Sequence, residues 1–372
     1  MPTISIVMPV YQAAAHLSGT LESVVAQTFR DFECICVNDG SPDNSGSILD
    51  EYVAKDPRFR VFHRPNSGAG VSRNTALEQA SGKYVICLDS DDLFEPELLE
   101  TLYLRAEREQ AEITVCRYDA FDTVSGEKTY ELHYPESMPR SGIFSLKTRT
   151  DLTFGDFRPE PWKYLFLREF LTRWNIRFST AVRNAEDVPF TNTALAFADR
   201  IALVDRVLLH YRTGSVTSLE SGKSSSHRTD FYLSLLEWRE KMNDCGVLSL
   251  YRSRFCSSAF YVCIYNLRKH FGTVDFASFY AEVRDNMLPA LGIGPALECE
   301  VSDKELAEKI RRIRNLSADE YRNAVLTEER ELSERRKRQA EYAKLPGWRR
   351  CLMENGLWYT IRHILRKLTG EK

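Results

Sequence analysis

A chain of 372 residues is longer than one ordinary hydrophobic core serves, and 43% hydrophobic with 28% charged residues is the balance of a globular protein of two or three units. The formal net charge of -3 and a pI near 6.2 exclude a global attraction to nucleic acid, so any basic surface must be local. The opening MPTISIVMPV has no basic stretch followed by a cleavage site, and no run nears the roughly 20 apolar residues that cross a bilayer, so a cytoplasmic protein is expected.

Up to about residue 118 short β-rich runs alternate with helical stretches. TISIVMP is followed by TLESVVAQTF, ECICVND, SGSILDEYV, FRVFH, VSRNTALEQA, YVICLD, PELLETLYLRAERE and ITVCRY. This βαβ rhythm predicts an α/β fold with a mostly parallel sheet flanked by helices, in which ligands bind beyond the carboxyl ends of the strands. Asp39 follows the second apolar run and Asp89 the fourth, which places both at that edge. Of the nine cysteines, Cys34, Cys36, Cys87 and Cys116 lie in strand-like runs as small hydrophobes. No zinc-type CxxC pairing occurs. Cys34 and Cys36 are expected on alternate faces of a strand and therefore unpaired, as in a reducing compartment.

Residues 119–222 mix aromatics, charges and turn signals with a helix-like PWKYLFLREFLTRW, and are assigned to an acceptor-side half. From 223 to 372 the pattern is helical, with SDKE (302–305) and SADE (317–320) reading as capping boxes. At the C-terminal end Leu357, Ile361, Ile364 and Leu368 recur at helical spacing beside Arg362, Arg366 and Lys367. From Arg330 onward twelve Lys and Arg face five Asp and Glu. Such a basic amphipathic helix suits the surface of an anionic membrane, and equally packing on its own domain or a second subunit.

The chemistry-bearing segments begin with YVICLDSDD, where an apolar strand runs into Asp89, Asp91 and Asp92. Like charges this close need a partner. Side chains i and i+2 of an extended chain share a face, so Asp89 and Asp91 offer two hard oxygen ligands suited to Mg²⁺ or Mn²⁺, while the same acids could instead cap the helix starting near Pro96. Pro9 and Tyr11 in IVMPVYQ place a ring where a planar base could lie. CVNDGSPDNS ends a strand at Asp39, and NSGAGVSRNTAL brings Asn66, two glycines and Arg73 to a helix start. RNAEDVPF carries Glu186 and Asp187, a pair that also suits the first turn of a helix. In LLHYRTGSVTS, His210, Arg212 and Ser215 follow an apolar strand. Trp162 is read either as shaping an acceptor pocket or as a core residue.

Taken in order over roughly residues 3–217, these segments resemble the family 2 glycosyltransferases of the GT-A fold, Rossmann-like transferases of sugars from nucleotide diphosphates. The resemblance implies that Pro9, Tyr11 and Asp39 frame the uracil of a UDP-sugar, that Asn66 and Arg73 support base and diphosphate, and that Asp89 contacts the ribose. It further implies that Asp91 ligates Mn²⁺ or Mg²⁺, that Arg212 and Ser215 cover the diphosphate with His210 as a further metal ligand, and that Asp187, beside Glu186, is the general base of an inverting transfer. The donor would be a UDP-hexose or UDP-N-acetylhexosamine. The acceptor would be a hydroxyl of a glycan, lipid-linked and part of a surface polysaccharide, met at the inner face of the plasma membrane.

Rival readings fare less well. GAGVSR lacks the third glycine of GxGxxG and follows the third strand, against a dinucleotide-binding dehydrogenase. Leu93 stands where an aspartate-nucleophile phosphatase has Thr or Val, and the N-terminus lacks a nucleotidyltransferase's glycine- and lysine-rich loop. A catalytically degenerate scaffold, or a transferase using a dTDP- or GDP-sugar, stays as the alternative.

Overall fold

The computed structural model describes residues 1–214, 227–295, 297 and 303–344. Strand β1 (Ile4–Val10) has β2 (Phe32–Asn38) and β4 (Tyr84–Cys87) parallel on either side, and β3 (Phe59–His63) lies parallel to β2 at the edge. β2 and β4 are buried along their whole length, which is why Val, Ile, Cys and aromatic residues dominate them, whereas edge strand β3 is mostly half-buried or exposed. Helices α1 (Leu17–Val25), α2 (Ser45–Lys55), α3 (Ala69–Gln79) and α4 (Leu98–Glu109) follow β1 to β4, as the rhythm predicts. Each hides a stripe against the sheet. In α1 it is Leu17, Thr20, Leu21 and Val24, spaced three and four residues apart.

Beyond β4 the sheet becomes mixed. Its other strands are β5 (Leu93–Phe94), β6 (Ile113–Asp122), β7 (Lys128–Glu131), β8 (Tyr164–Leu167) and β9 (Ile201–Thr213). The order is β3-β2-β1-β4-β8-β6-β9-β5, with β7 paired to β6. β8 is antiparallel to both β4 and β6, so β6 points the same way as β4, and β9 is parallel to β6. The carboxyl ends of β1, β2, β3, β4, β6 and β9 therefore share one edge. The helix expected over PWKYLFLREFLTRW is replaced by a single 3₁₀ turn, Pro161–Lys163, then β8, and only then helix α6 (Arg168–Arg173). Burial decides this: Tyr164, Leu165 and Phe166 fill the slot between β4 and β6, where apolar residues are wanted on both faces.

The division expected at residue 118 falls inside β6, so both halves belong to one sheet. Cys34 and Cys36 do not take alternate faces. Residues i and i+2 of a strand share a face, and the two sulfurs lie 3.8 Å apart as buried free thiols. Asp303, the second residue of SDKE, caps the helix there by accepting the N–H groups of Glu305 and Leu306. Ser317 and Glu320 do form a capping box.

Helices α5 (Phe154–Phe157) and α7 (Asp187–Phe197) carry the sheet over to a helical layer. That layer comprises α8 (Asp230–Asp244), α9 (Leu248–Lys269), α10 (Phe276–Glu282), a π-helical turn at Val283–Met287, α11 (Leu288–Ala290), α12 (Lys304–Asn315) and α13 (Ala318–Lys344). Trp238 of α8 is the keystone: fully buried, it meets Phe154 and Phe255 edge-on at 4.7 and 4.8 Å. Tyr251 adds a hydrogen bond from its hydroxyl to Ala196 O at 2.8 Å, locking α9 to the end of α7. No helix among the described residues is long and apolar enough to cross a membrane, and the basic segment with Leu357, Ile361, Ile364 and Leu368 lies outside the described residues.

Trp238→Ala removes the ring that joins helical layer and sheet, and is expected to cost roughly 3–5 kcal/mol of stability. The urea midpoint should fall accordingly, whereas substitution of exposed Leu233 on the same helix should leave it nearly unchanged.

Candidate functional site

Two loops at the carboxyl edge are zipped together. Asp39 N donates to Val10 O at 2.9 Å, Ala13 N to Ser45 Oγ at 3.0 Å, and Ala14 N to Asp43 Oδ2 at 3.1 Å. Pro9 and Tyr11 ride on this pair, the Tyr11 side chain 45% exposed above it. Gly40 is required here: its φ is +71°, and a Cβ would sit 2.8 Å from Asn66 N. Behind the loops Asp39 is buried and accepts the N–H groups of Ser67 and Gly68 at 2.9 and 2.8 Å, holding the entry to α3. Asn66 returns the contact by donating to Asp39 O at 3.1 Å, and its Oδ1 accepts from Arg183 at 2.6 Å.

Arg73, on the first turns of α3, is 6% exposed. Its Nη2 donates to Asp89 Oδ1 at 2.7 Å and its Nη1 to Glu186 Oε1 at 2.5 Å, with the guanidinium 5.3 Å from the Phe178 ring centre. Burial lowers its proton affinity, yet the two carboxylates raise the pKa overall, so the cation is permanent. The sequence leaves Arg73 either to reach phosphate or to hold a carboxylate, and the structure shows each terminal nitrogen on one carboxylate, tying the strand tip to the 186–187 segment.

The acids at the end of β4 divide by burial. Asp92 is fully buried and accepts Arg212 N at 2.8 Å, while its Oδ2 has no partner among the described residues. Burial and the charges of Asp91 and Asp89 push its carboxyl well above the usual range. Asp91 is partly buried, and desolvation together with Asp89 pushes it up to about 6. Asp89, one oxygen of which pairs with Arg73, and Asp91, whose carboxylate receives no ion pair among the described residues, thus offer hard oxygen ligands of the kind that fits Mg²⁺ or Mn²⁺. Among the described residues no three His, Cys, Asp or Glu side chains converge on one point, so such a cation would take further ligands from substrate or water.

Arg212, near the end of β9, clasps this tip with Nε to Asp91 O at 2.7 Å while its guanidinium lies over Phe121. His210 is bracketed by two carboxylates. Its Nδ1 lies 2.6 Å from Asp119 and its Nε2 2.9 Å from Glu95, occupying both nitrogens. Burial lowers its pKa, but these two carboxylates reverse the sign and raise it. Ser215 lies outside the described residues. Trp162 is a core residue, 3% exposed, stacked on Tyr211 at 5.7 Å and edge-on to Tyr118 at 4.5 Å.

Glu186 and Asp187 stand where a loop from Ser179 enters α7. Ser179 N donates to Glu186 O, closing the loop, and Ala185 has φ +62°, a left-handed conformation that a residue with a Cβ adopts at a cost of about 1–2 kcal/mol. Asn74 on α3 exchanges two 2.9 Å hydrogen bonds with the backbone of Phe178, just ahead of the loop. Burial, then the neighbouring Glu186 charge, push the Asp187 carboxyl well above its usual range, with Arg73 opposing them. Its side chain has no hydrogen-bond partner on another described residue. Sequence reasoning missed Asn74, Arg183 and Asp230 as supports of this loop, because their partners lie far along the chain: the Phe178 backbone 104 residues from Asn74, the Asn66 side chain 117 from Arg183, and the Arg183 and Asn184 N–H groups 47 and 46 from Asp230.

Residues 5–178 match the family model of Glycosyl transferase family 2. The chain is 32% identical over 216 residues to the uncharacterized glycosyltransferase EpsJ of Bacillus subtilis (strain 168), covering 57% of this chain and 61% of EpsJ, so it spans less than two thirds of that relative. It is 33% identical over 204 residues to a poly(ribitol-phosphate) beta-glucosyltransferase of Bacillus spizizenii, covering 54% of this chain and 30% of that protein. Among solved structures, S. aureus TarS 1-349 in complex with UDP-GlcNAc superposes with a TM-score of 0.63 at 22% identity over 87% of this chain and 90% of that one. That likeness shows the GT-A fold.

Gly70 lets α3 touch the 179–186 loop: a Cβ there would fall 2.1 Å from Ser179 O and 3.2 Å from the Glu186 side chain. Gly70→Ala should therefore displace the loop and lower the thermal midpoint by several degrees, on the scale of roughly 1–3 kcal/mol for overpacking. Gly294→Ala, whose Cβ meets nothing within 4 Å, should leave the midpoint in place.

Proposed function

We propose that the chain is a family 2 glycosyltransferase, on the match of residues 5–178 to that family's model, and that it is an inverting transferase moving a hexose or N-acetylhexosamine from a UDP-sugar to a glycan hydroxyl. The observation that carries this reading is the Arg73 bridge, which ties Asp89 on the donor side to Glu186, the neighbour of Asp187, in one buried constellation. The complex of TarS with UDP-GlcNAc supports a UDP-sugar donor, and the polymer named for the Bacillus spizizenii relative supports a polysaccharide acceptor in surface-polymer synthesis. A lipid-linked acceptor at the inner face of the plasma membrane is the setting that the basic C-terminal segment favours.

In this reading Tyr11 and Pro9 take one face of the uracil, with Asp39 and Asn66 fixing the loops around it. Asp89 turns its free oxygen to the ribose. Asp91 would hold Mn²⁺ or Mg²⁺, whose charge steadies the departing diphosphate. Arg212 presents its terminal N–H groups, unpartnered among the described residues, to phosphate oxygens. An alcohol is a poor nucleophile, so Asp187 accepts the acceptor's proton as the hydroxyl oxygen bonds to the anomeric carbon and the bond to the diphosphate oxygen breaks. Attack from the face opposite the leaving group inverts the anomeric centre.

Asp187→Asn should lower transfer roughly 10²–10⁴-fold, the usual worth of a general base, with UDP affinity within about threefold of the parent. Transfer at the parental rate by this variant would remove Asp187 from the mechanism. Asp91→Ala should abolish the Mn²⁺-dependent part of UDP binding in titration calorimetry. With Asp91 at about 6, a proton competes with the cation as pH falls, so the Mn²⁺-dependent affinity should drop by roughly tenfold per pH unit below that value and level off above it.

A further inference from the structure

We propose that Asp230, the first residue of α8 in the helical layer, is a positioning residue for the base Asp187, acting through the 179–186 loop. The proposal rests on the glycosyltransferase reading, since it takes Asp187 as the base, and it assigns part of the catalytic apparatus to a segment beyond the matched family domain at residues 5–178.

An acid in the first turn of a helix ordinarily serves that helix, by capping its N–H groups or answering its dipole. Asp230 is aimed elsewhere. The capping position of α8 is Thr229, which makes no side-chain capping bond, and Asp230, 6% exposed, directs Oδ2 at the loop before α7. That one oxygen accepts Arg183 N at 2.9 Å and Asn184 N at 3.0 Å, and lies 3.2 Å from His227 Nδ1. Two successive backbone N–H groups converging on one anion form the concavity that a folded chain uses to seize negative charge. Here the anion is supplied by the protein itself.

The next residue explains the need. Ala185 holds φ +62° immediately before Glu186 and Asp187, and a residue with a Cβ stays there only where its surroundings over-determine it. On the α3 side Arg183 reaches Asn66, Asn74 grips Phe178, and Arg73 grips Glu186. Asp230 closes the opposite side. With its carboxylate gone, Arg183 N and Asn184 N lose their acceptor, Ala185 relaxes toward negative φ, and the start of α7 shifts with it, carrying Asp187 off the acceptor hydroxyl.

The test compares Asp230→Ala, Asp230→Asn and Leu235→Ala, the last removing a fully buried side chain from the same helix, in the full-length protein. Backbone amide exchange, UDP titration with Mn²⁺, and turnover of whichever UDP-sugar the wild type uses are measured together. Asp230→Ala should speed exchange over 183–188 by about tenfold, with UDP affinity within about threefold, and lower kcat roughly 10–100-fold, the scale for a reacting group misplaced by about 1 Å. Asp230→Asn keeps a carbonyl oxygen for the two N–H groups and should restore most of both, also covering the case in which the alanine variant fails to fold.

Unchanged exchange at 183–188 in Asp230→Ala would overturn the proposal. So would an asparagine variant as impaired as the alanine variant, or a Leu235→Ala variant equal to Asp230→Ala in both exchange and turnover. If the wild type turns over no UDP-sugar, the UDP-donor reading fails, and the exchange comparison still decides whether Asp230 holds the loop.

Discussion

A buried guanidinium between two carboxylates is the constraint on which the rest of the site depends. Arg73 has lost most of its water, and Asp89 and Glu186, facing its two terminal nitrogens, compensate the cost of burying its charge. Removing one partner of such a pair typically costs about 3–5 kcal/mol, because the remaining buried charge is left uncompensated. The three residues come from α3, the tip of β4 and the entrance to α7, segments up to 113 residues apart. Their positions are therefore set together, and the donor edge of the sheet cannot shift without moving the loop that carries Asp187.

The acids that Arg73 does not reach are left in a different state. Asp92 is drawn into the structure by Arg212 N, and through its carbonyl, which accepts from Thr20, it ties β9 and α1 to the strand tip. Asp91 receives neither a guanidinium nor a backbone clasp on its carboxylate from another described residue, and burial first, then the Asp89 charge, push its carboxyl up. One protein cation thus neutralises the rear of the acidic tip and leaves its front negative. In the proposed reaction a divalent ion at that front and the diphosphate would offset each other's charge.

Much of the fold was legible because its first half obeys local rules. Unbroken apolar runs bounded by turn residues became β1, β2 and β4, and helical stripes such as Leu17, Thr20, Leu21 and Val24 became the layers against them. Asp39 and Asp89 stood out for the same reason, since they follow such runs. Legibility fails where tertiary pairing overrides the local pattern. YLFL reads as helix or strand by composition, and only the slot between β4 and β6 makes it β8. The carboxylates that face His210, Asp119 and Glu95, are not legible beside it in sequence because they arrive from other segments. Cys34 and Cys36 were misplaced by a mistaken parity, and the strand geometry alone corrects it.

The same reasoning bears on where one functional unit ends. Sequence pattern separates an α/β half from a helical remainder, but the forces in the site ignore that line. Loop 179–186 carries a left-handed alanine, and no single neighbour holds it: α3 contributes Gly70, Arg73 and Asn74, while α8 contributes Asp230. Stored backbone strain persists only when contacts on several sides agree, so a loop gripped from one side alone would be free to relax. Trp238, buried between Phe154 and Phe255, fixes α8 closely enough for its first carboxylate to serve as the second jaw. The helical layer is in that sense part of the loop's architecture, and packing tens of residues away from Asp187 sets the precision with which that side chain is held.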